Sequence, residues 1–102
     1  MISKPWGVNL DVSLINNVIK NNHALVLGGG AWIIANNLVF SNNMIEENSC
    51  SYTPPYCCGG GVNIDPDGLT VFSNNAILSN NGCGAFINNS DGGTVKFIGN
   101  LI

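Results

Sequence analysis

The chain has 102 residues, of which 45% are hydrophobic and 9% are charged, and its formal net charge is −3. It contains three lysines and no arginine, which argues against partners that are bound through basic surface, namely nucleic acids and anionic membrane faces. Its apolar content is too high for a disordered chain, and its apolar runs are far shorter than the roughly 20 residues of a transmembrane helix. We therefore expect one small folded domain with no nucleic-acid partner and no transmembrane segment.

Glycine accounts for 13 residues, asparagine is more frequent still, and both recur at regular places along the chain. One landmark is a glycine-rich corner that ends in Ala or Val, and the other is Phe followed three residues later by Asn. In chain order the residues of these landmarks are Gly29, Gly30, Ala31, Phe40 and Asn43; Gly60, Gly61, Val62, Phe72 and Asn75; and Gly84, Ala85, Phe97 and Asn100. A weaker copy begins at Leu14, and the interval from Phe40 to Phe72 is longer than its neighbours because it contains the insertion at 50–58.

Each repeat contains three short apolar segments that are separated by Gly or Asn. In the second repeat these segments are residues 31–34, 38–40 and 44–45. β-branched and aromatic residues dominate them, and none is long enough to show a helical period, so the pattern predicts strands. A unit of about 25 residues with three short strands indicates one coil of a β-solenoid. Each strand would then pair in parallel with its equivalent in the next coil, about 4.8 Å away.

We therefore predict an all-β fold, namely a right-handed single-stranded parallel β-helix of about four coils. It is expected to occupy the whole chain as one domain, with coils at approximately residues 7–27, 28–58, 59–82 and 83–102. Right-handedness follows the general preference of parallel crossover connections, and it is also what the family resemblance given below implies.

The landmark residues have structural roles in this prediction. Phe40, Phe72 and Phe97 should form one inward column, with Leu14 beneath it. Asn is expected at the corners, where it tolerates left-handed backbone and where stacked amides can bond from coil to coil. The glycine-rich corners are expected to need backbone angles that a Cβ would forbid.

The paired Gly-Gly-Ala and Phe-x-x-Asn motifs resemble the repeats of the chlamydial polymorphic outer membrane proteins, which are autotransporter adhesins with right-handed parallel β-helix passengers. The second motif is complete three times, whereas the first has Val62 in place of Ala and Cys83 in place of its first Gly in the later copies. The resemblance spans residues 28–100. It implies an adhesin-like protein at the cell surface, in the outer membrane or secreted, with a host-cell surface protein or glycan as its partner.

Both ends of the chain bear on its organisation. The first seven residues lack the apolar core of a secretory signal. Solenoids need capped ends for solubility, and the apolar segment at residues 95–98 carries no polar cap. We therefore expect an uncapped piece of a longer parent chain, with further coils of that parent stacked on it.

The four cysteines, Cys50, Cys57, Cys58 and Cys83, allow three disulfide connectivities if all of them pair. The insertion at residues 50–58 contains Pro54-Pro55 and two tyrosines that could present a recognition surface. Extracellular proteins favour such bridges, and buried free thiols that pack as small apolar groups are the open alternative. The cysteine spacing fits no common zinc pattern, so no metal or cofactor is expected.

Asp65 and Asp67 are two residues apart, so both carboxylates could project from one face of an extended segment and contact a glycan or Ca²⁺. The same Asp-Pro-Asp-Gly segment is also an ordinary turn sequence. Enzymatic β-helices such as pectate lyases use clustered carboxylates or basic residues, and this chain has no arginine and only scattered lysines. The single histidine, His23, lies in no nucleophile motif, so no catalytic residue is predicted.

The predicted function is that of a non-catalytic structural or binding module of a surface-exposed or secreted adhesin-like protein. Its recognition loops would be the insertion at 50–58 and the turn at 65–68. The alternative is a fragment of a carbohydrate-active, pectate lyase-like β-helix enzyme, with Asp65 and Asp67 in its groove. A third hypothesis is a repeat without a function of its own, derived from a partial gene.

Overall fold

The computed structural model describes residues 1–5, 7–25, 28–51, 60–88 and 92–102. The regular elements in these ranges are β-strands of two to five residues. They are short because Gly or Asn interrupts the apolar segments every few residues. The described residues contain no helix of the length and apolarity needed to cross a membrane.

The chain makes successive passes through the same set of sheets. The first pass contains β1 (Ile2–Ser3), β2 (Asp11–Ile15), β3 (Val18–Lys20) and β4 (His23–Ala24). The second contains β5 (Ala31–Ala35), β6 (Asn37–Ser41), β7 (Met44–Glu46) and β8 (Ser49–Cys50). The third contains β9 (Val62–Pro66), β10 (Leu69–Ser73) and β11 (Ala76–Leu78), and the fourth contains β12 (Ala85–Ile87) and β13 (Thr94–Ile98).

Equivalent strands of successive passes lie side by side and pair in parallel. Sheet A has the strand order β1-β5-β9-β12, sheet B the order β2-β6-β10-β13, sheet C the order β3-β7-β11 and sheet D the order β4-β8. The protein is therefore all-β with parallel sheets. We expected three strands in each repeat, but the first two passes contain a fourth, because β4 and β8 pair over two residues after the second asparagine of the repeat.

The register is the same in two different sheets. In sheet B, Val12 pairs with Leu38, Leu38 with Thr70 and Thr70 with Val95. In sheet C, Val18 pairs with Met44 and Met44 with Ala76. At each step from one pass to the next, the number of residues between paired positions is therefore the same in both sheets. This number equals the interval between the phenylalanines of the sequence repeat. The repeat unit corresponds to one pass.

The core lies between the sheets, where alternate side chains of each strand point inward. Its buried members are Ile33, Ala35, Leu38, Phe40, Ile45, Val62, Ile64, Phe72 and Ile77. The predicted aromatic column is present. The rings of Phe40 and Phe72 are stacked with centroids 4.9 Å apart, the rings of Phe72 and Phe97 are also 4.9 Å apart, and Leu14 is in register with Phe40.

Two ladders of asparagine side chains connect the passes at the corners that flank sheet C. In the first, Asn43 Oδ1 accepts from the backbone N–H of Asn17 at 2.9 Å, Asn75 Oδ1 accepts from that of Asn43, and Asn100 Oδ1 accepts from that of Asn75. The second ladder runs in the same way through Asn22, Asn48 and Asn80. These bonds satisfy polar groups that are almost completely buried at Asn43, Asn48 and Asn75.

At these corners, neighbouring residues have different structural roles. The residue before each ladder asparagine has positive φ, for example 57° at Asn42 and 55° at Asn74, whereas the asparagine that follows it carries the ladder. Our expectation that the glycine corners need unusual angles is correct at Gly28, where φ is 61°, but it is wrong for Gly60. There the requirement is space, because a Cβ would overlap the carbonyl oxygen of Asn81 in the same pass.

Candidate functional site

The outer face of sheet A carries a row of three side chains from three successive passes. Trp32 is in register with Asn63, and Asn63 is in register with Phe86. Because Val62 and Ile64 belong to the core, Asn63 between them projects from the opposite face of the strand. We call Trp32, Asn63 and Phe86 the aromatic row. Its two rings belong to strands that are two steps apart, which is roughly 10 Å across the sheet.

The amide of Asn63 is the exceptional group of this row. Asn63 is only 2% exposed, and its Oδ1 atom is buried without a hydrogen-bond partner among the described residues. Leaving such an acceptor unpaired costs about 1–3 kcal/mol. The amides of Asn43, Asn48 and Asn75, which are equally buried, are used in the ladders. Unlike their oxygens, the Oδ1 atom of Asn63 is not used to hold the passes together among the described residues.

Asp65, which we predicted as a weak contact for a glycan or an ion, lies on the same face two residues beyond Asn63. Its Oδ2 atom accepts a hydrogen bond from the indole Nε1–H of Trp32 at 3.0 Å. This bond holds the indole along the surface of the sheet. Asp67, the second predicted contact, forms an ion pair with Lys4, so each of the two carboxylates has its own partner in the protein.

His23 stands between two serines on the outer side of sheet D. Its Nδ1 atom lies 2.8 Å from Ser49 Oγ, and its Nε2 atom lies 2.8 Å from Ser51 Oγ. In the neutral imidazole one ring nitrogen donates and the other accepts, so the two hydroxyls take complementary roles. His23 and Ser51 are exposed. These contacts link the first pass to the second at the surface. Within the described ranges, no three His, Cys, Asp or Glu side chains form a group that could hold a metal ion.

Two of the four cysteines, Cys50 and Cys83, are among the described residues. Cys50 and Cys83 are both disulfide-bonded, and Cys50 is 7% exposed. Cys57 and Cys58 lie outside the described residues, as does most of the insertion at 50–58 that we expected to carry recognition. The connection that contains the insertion runs from β8 in sheet D to β9 in sheet A.

A shallow groove of about 270 Å³ lies along the outer face of sheet B. Its floor is apolar, with Val39, Val71 and Leu69. At one end Asn37 donates its amide N–H to Asp11 at 2.8 Å and accepts from the backbone N–H of Leu69 at 3.0 Å. Unlike the aromatic row, this groove has no buried polar atom that lacks a partner among the described residues.

Neither the aromatic row nor the histidine cluster was predicted from the sequence, although the repeat contained the signal for each. Trp32, Asn63 and Phe86 all follow directly after the residue that closes the glycine-rich corner, which is Ala or Val. Similarly, His23 and Ser49 both follow the second asparagine of their repeat. Equivalent positions of a parallel repeat meet on one face, so alignment of the repeats predicts such rows.

Comparison of the chain with protein-family models, with curated proteins and with solved structures finds no match in any of the three. Its function is therefore inferred from the geometry described above.

Proposed function

We propose that the chain is a right-handed single-stranded parallel β-helix segment of about four coils, and that it serves as a non-catalytic binding module of a surface-exposed or secreted adhesin-like protein. The observation that carries the architecture is the shared register of sheets B and C, which shift by the same number of residues at each step from one pass to the next. The right-handed sense follows from the strong preference of parallel crossovers.

The binding role is supported by the side chains and the connection that lie outside the regular stack of strands. The core and the asparagine ladders fill the interior, while the outer face of sheet A presents the aromatic row and the connection from β8 to β9 carries the insertion. Disulfide-bonded Cys50 and Cys83 suit an oxidising environment outside the cytosol. The resemblance of the Gly-Gly-Ala and Phe-x-x-Asn repeats to chlamydial surface adhesins points to the same location and to a host-cell partner.

The proposal is tested by adhesion of the purified chain to cells. Beads that carry the oxidised chain are expected to bind cultured epithelial cells more than beads that carry a heat-unfolded and reduced sample. If the insertion contributes, replacement of residues 52–56 by a Gly-Ser segment of equal length, which keeps all four cysteines, should lower the binding several-fold. Equal binding of that variant would remove the insertion from the site, and no binding by the parent chain would contradict the adhesin role.

A further inference from the structure

The geometry points to the aromatic row as a binding site for a neutral glycan, with Asn63 as the hydrogen-bonding residue and Trp32 and Phe86 as the stacking residues. This inference rests on the proposed binding function and names the class of ligand that this face recognises. Four properties of the face support it, namely its buried amide, its rings, its charge and its accessibility.

The amide needs a ligand that can hydrogen-bond. Asn63 Oδ1 is buried and has no partner among the described residues, whereas the amides of Asn43, Asn48 and Asn75 are bonded to neighbouring passes. A buried acceptor without a partner destabilises the fold, and a ligand that completes its hydrogen bonding is one explanation for such a group. A hydroxyl group suits the amide because it can donate to Oδ1.

The flanking rings specify the rest of the ligand. Trp32 and Phe86 are in register with Asn63 on either side, so a ligand that reaches the amide also meets an aromatic face. A pyranose has the required combination, because its C–H groups form an apolar face and its hydroxyls project from the rim. Indole and phenyl rings supply large apolar contact areas at little cost in side-chain entropy.

The charges around the row favour a neutral sugar over an anionic one. Asp65 lies beside the row and holds the indole of Trp32 through its Oδ2 atom. The lysines are paired or remote, because Lys4 pairs with Asp67, Lys20 pairs with Glu46, and Lys96 lies in sheet B. The chain has no arginine. A uronate, sialate or sulfate group would therefore meet a carboxylate, with no cationic side chain beside it in the described part of the row.

Access to the amide depends on Phe86. The indole of Trp32 is fixed by Asp65, whereas Phe86 is 37% exposed on β12. Rotation of an exposed aromatic side chain is fast on the timescale of binding. We infer that Phe86, the more exposed of the two flanking rings, turns outward to admit the sugar and then packs on it.

The first experiment presents the oxidised chain to an array of neutral hexose and N-acetylhexosamine oligosaccharides, uronate-containing and sulfated oligosaccharides, and extended peptides. The strongest neutral binder is then titrated in a Trp6→Phe background, in which Trp32 is the remaining tryptophan and reports binding by fluorescence. We expect a neutral oligosaccharide to bind and to shift the emission of Trp32. Binding restricted to the acidic sugars or to the peptides would overturn the assignment.

Two variants and a matched control place the site on the aromatic row. Asn63→Leu keeps the volume of the side chain and removes the unpaired amide, so it should fold at least as stably as the parent and yet bind the oligosaccharide at least 10-fold more weakly. Phe86→Ala should also weaken binding about 10-fold. Leu69→Ala, which removes a side chain that is 40% exposed on sheet B, should change it less than twofold. Unchanged binding by Asn63→Leu would overturn the inference.

Adhesion to cells distinguishes failure of the ligand class from failure of the proposed function. If the chain adheres to cells but binds no neutral oligosaccharide, the ligand class is wrong and the proposed function stands. If the chain neither adheres nor binds any oligosaccharide, both are wrong.

Discussion

The rings of Phe40 and Phe72 lie 4.9 Å apart and within 2° of parallel, although the two residues belong to different passes of the chain. The separation matches the spacing of neighbouring strands, so the stacking follows directly from the register of β6 and β10. Phe97 extends the column with the same separation and an angle of 4°. Consequently, substitutions along this column test whether the passes form one cooperative unit.

Phe72→Ala is expected to lower the free energy of unfolding by about 3–5 kcal/mol, because Phe72 is completely buried between two other rings. Phe97→Ala should cost less than half as much, since that ring is 47% exposed. Urea unfolding followed by circular dichroism measures both values. Equal losses for the two variants would contradict the burial described for the column.

Thr70→Val should stabilise the protein by about 1 kcal/mol. Thr70 is completely buried and its Oγ1 atom has no hydrogen-bond partner among the described residues, so the hydroxyl is desolvated without compensation. Ser73→Ala is the matched control, because Ser73 Oγ forms a 2.7 Å hydrogen bond with Ser41 Oγ and its loss should destabilise by about 1 kcal/mol. A lower thermal midpoint for Thr70→Val would show that the hydroxyl is satisfied in solution.

Asn75→Ala should destabilise by at least about 2 kcal/mol, since it removes the hydrogen-bond partner of two backbone groups on the preceding pass. The amide of Asn75 accepts from the backbone N–H of Asn43 and donates to the carbonyl of Phe40, both at 2.9 Å. Asn17 stands at the first pass and is only partly buried, so Asn17→Ala should cost about 1 kcal/mol. Hydrogen exchange at the amide of Asn43 should accelerate in the first variant and remain slow in the second.

Gly60→Ala should destabilise by more than about 3 kcal/mol, because its Cβ would overlap the Asn81 carbonyl oxygen and would force the backbone to move. At Gly7, where φ is +72° and no described atom lies within 4 Å of the added Cβ, the same substitution should cost only about 1–2 kcal/mol. Comparison of the two denaturation curves separates steric exclusion from backbone strain. Similar costs would refute the close approach at Gly60.

Reduction should lower the free energy of unfolding by about 2–4 kcal/mol, because Cys50 and Cys83 are disulfide-bonded and cross-links restrict the unfolded chain. Unfolding curves with and without a phosphine reductant measure the effect. A variant in which all four cysteines are replaced by serine should be insensitive to the reductant. If the parent is equally insensitive, the bridges do not form in solution.

The sequence was sufficient to predict the all-β class and the aromatic column, because Phe-x-x-Asn recurs at intervals that become the register of the sheets. It was not sufficient for the roles of individual corner residues. The need for Gly60 comes from its approach to the backbone of Asn81, which no local pattern shows. The bond between Trp32 and Asp65 was missed for a similar reason, since it is a diagonal contact between two passes that exists only after the strands align.

The unequal lengths of the passes have a consequence for how such a protein can change. Most of the extra residues of the longest pass fall within the connection from β8 to β9 and one falls between β9 and β10, and the strands on both sides still pair with their partners. Alignment is thus set by the strands themselves, while the length of this connection is free to vary. A peptide cargo spliced into that connection should leave the scaffold intact, which would make the connection a practical site for display.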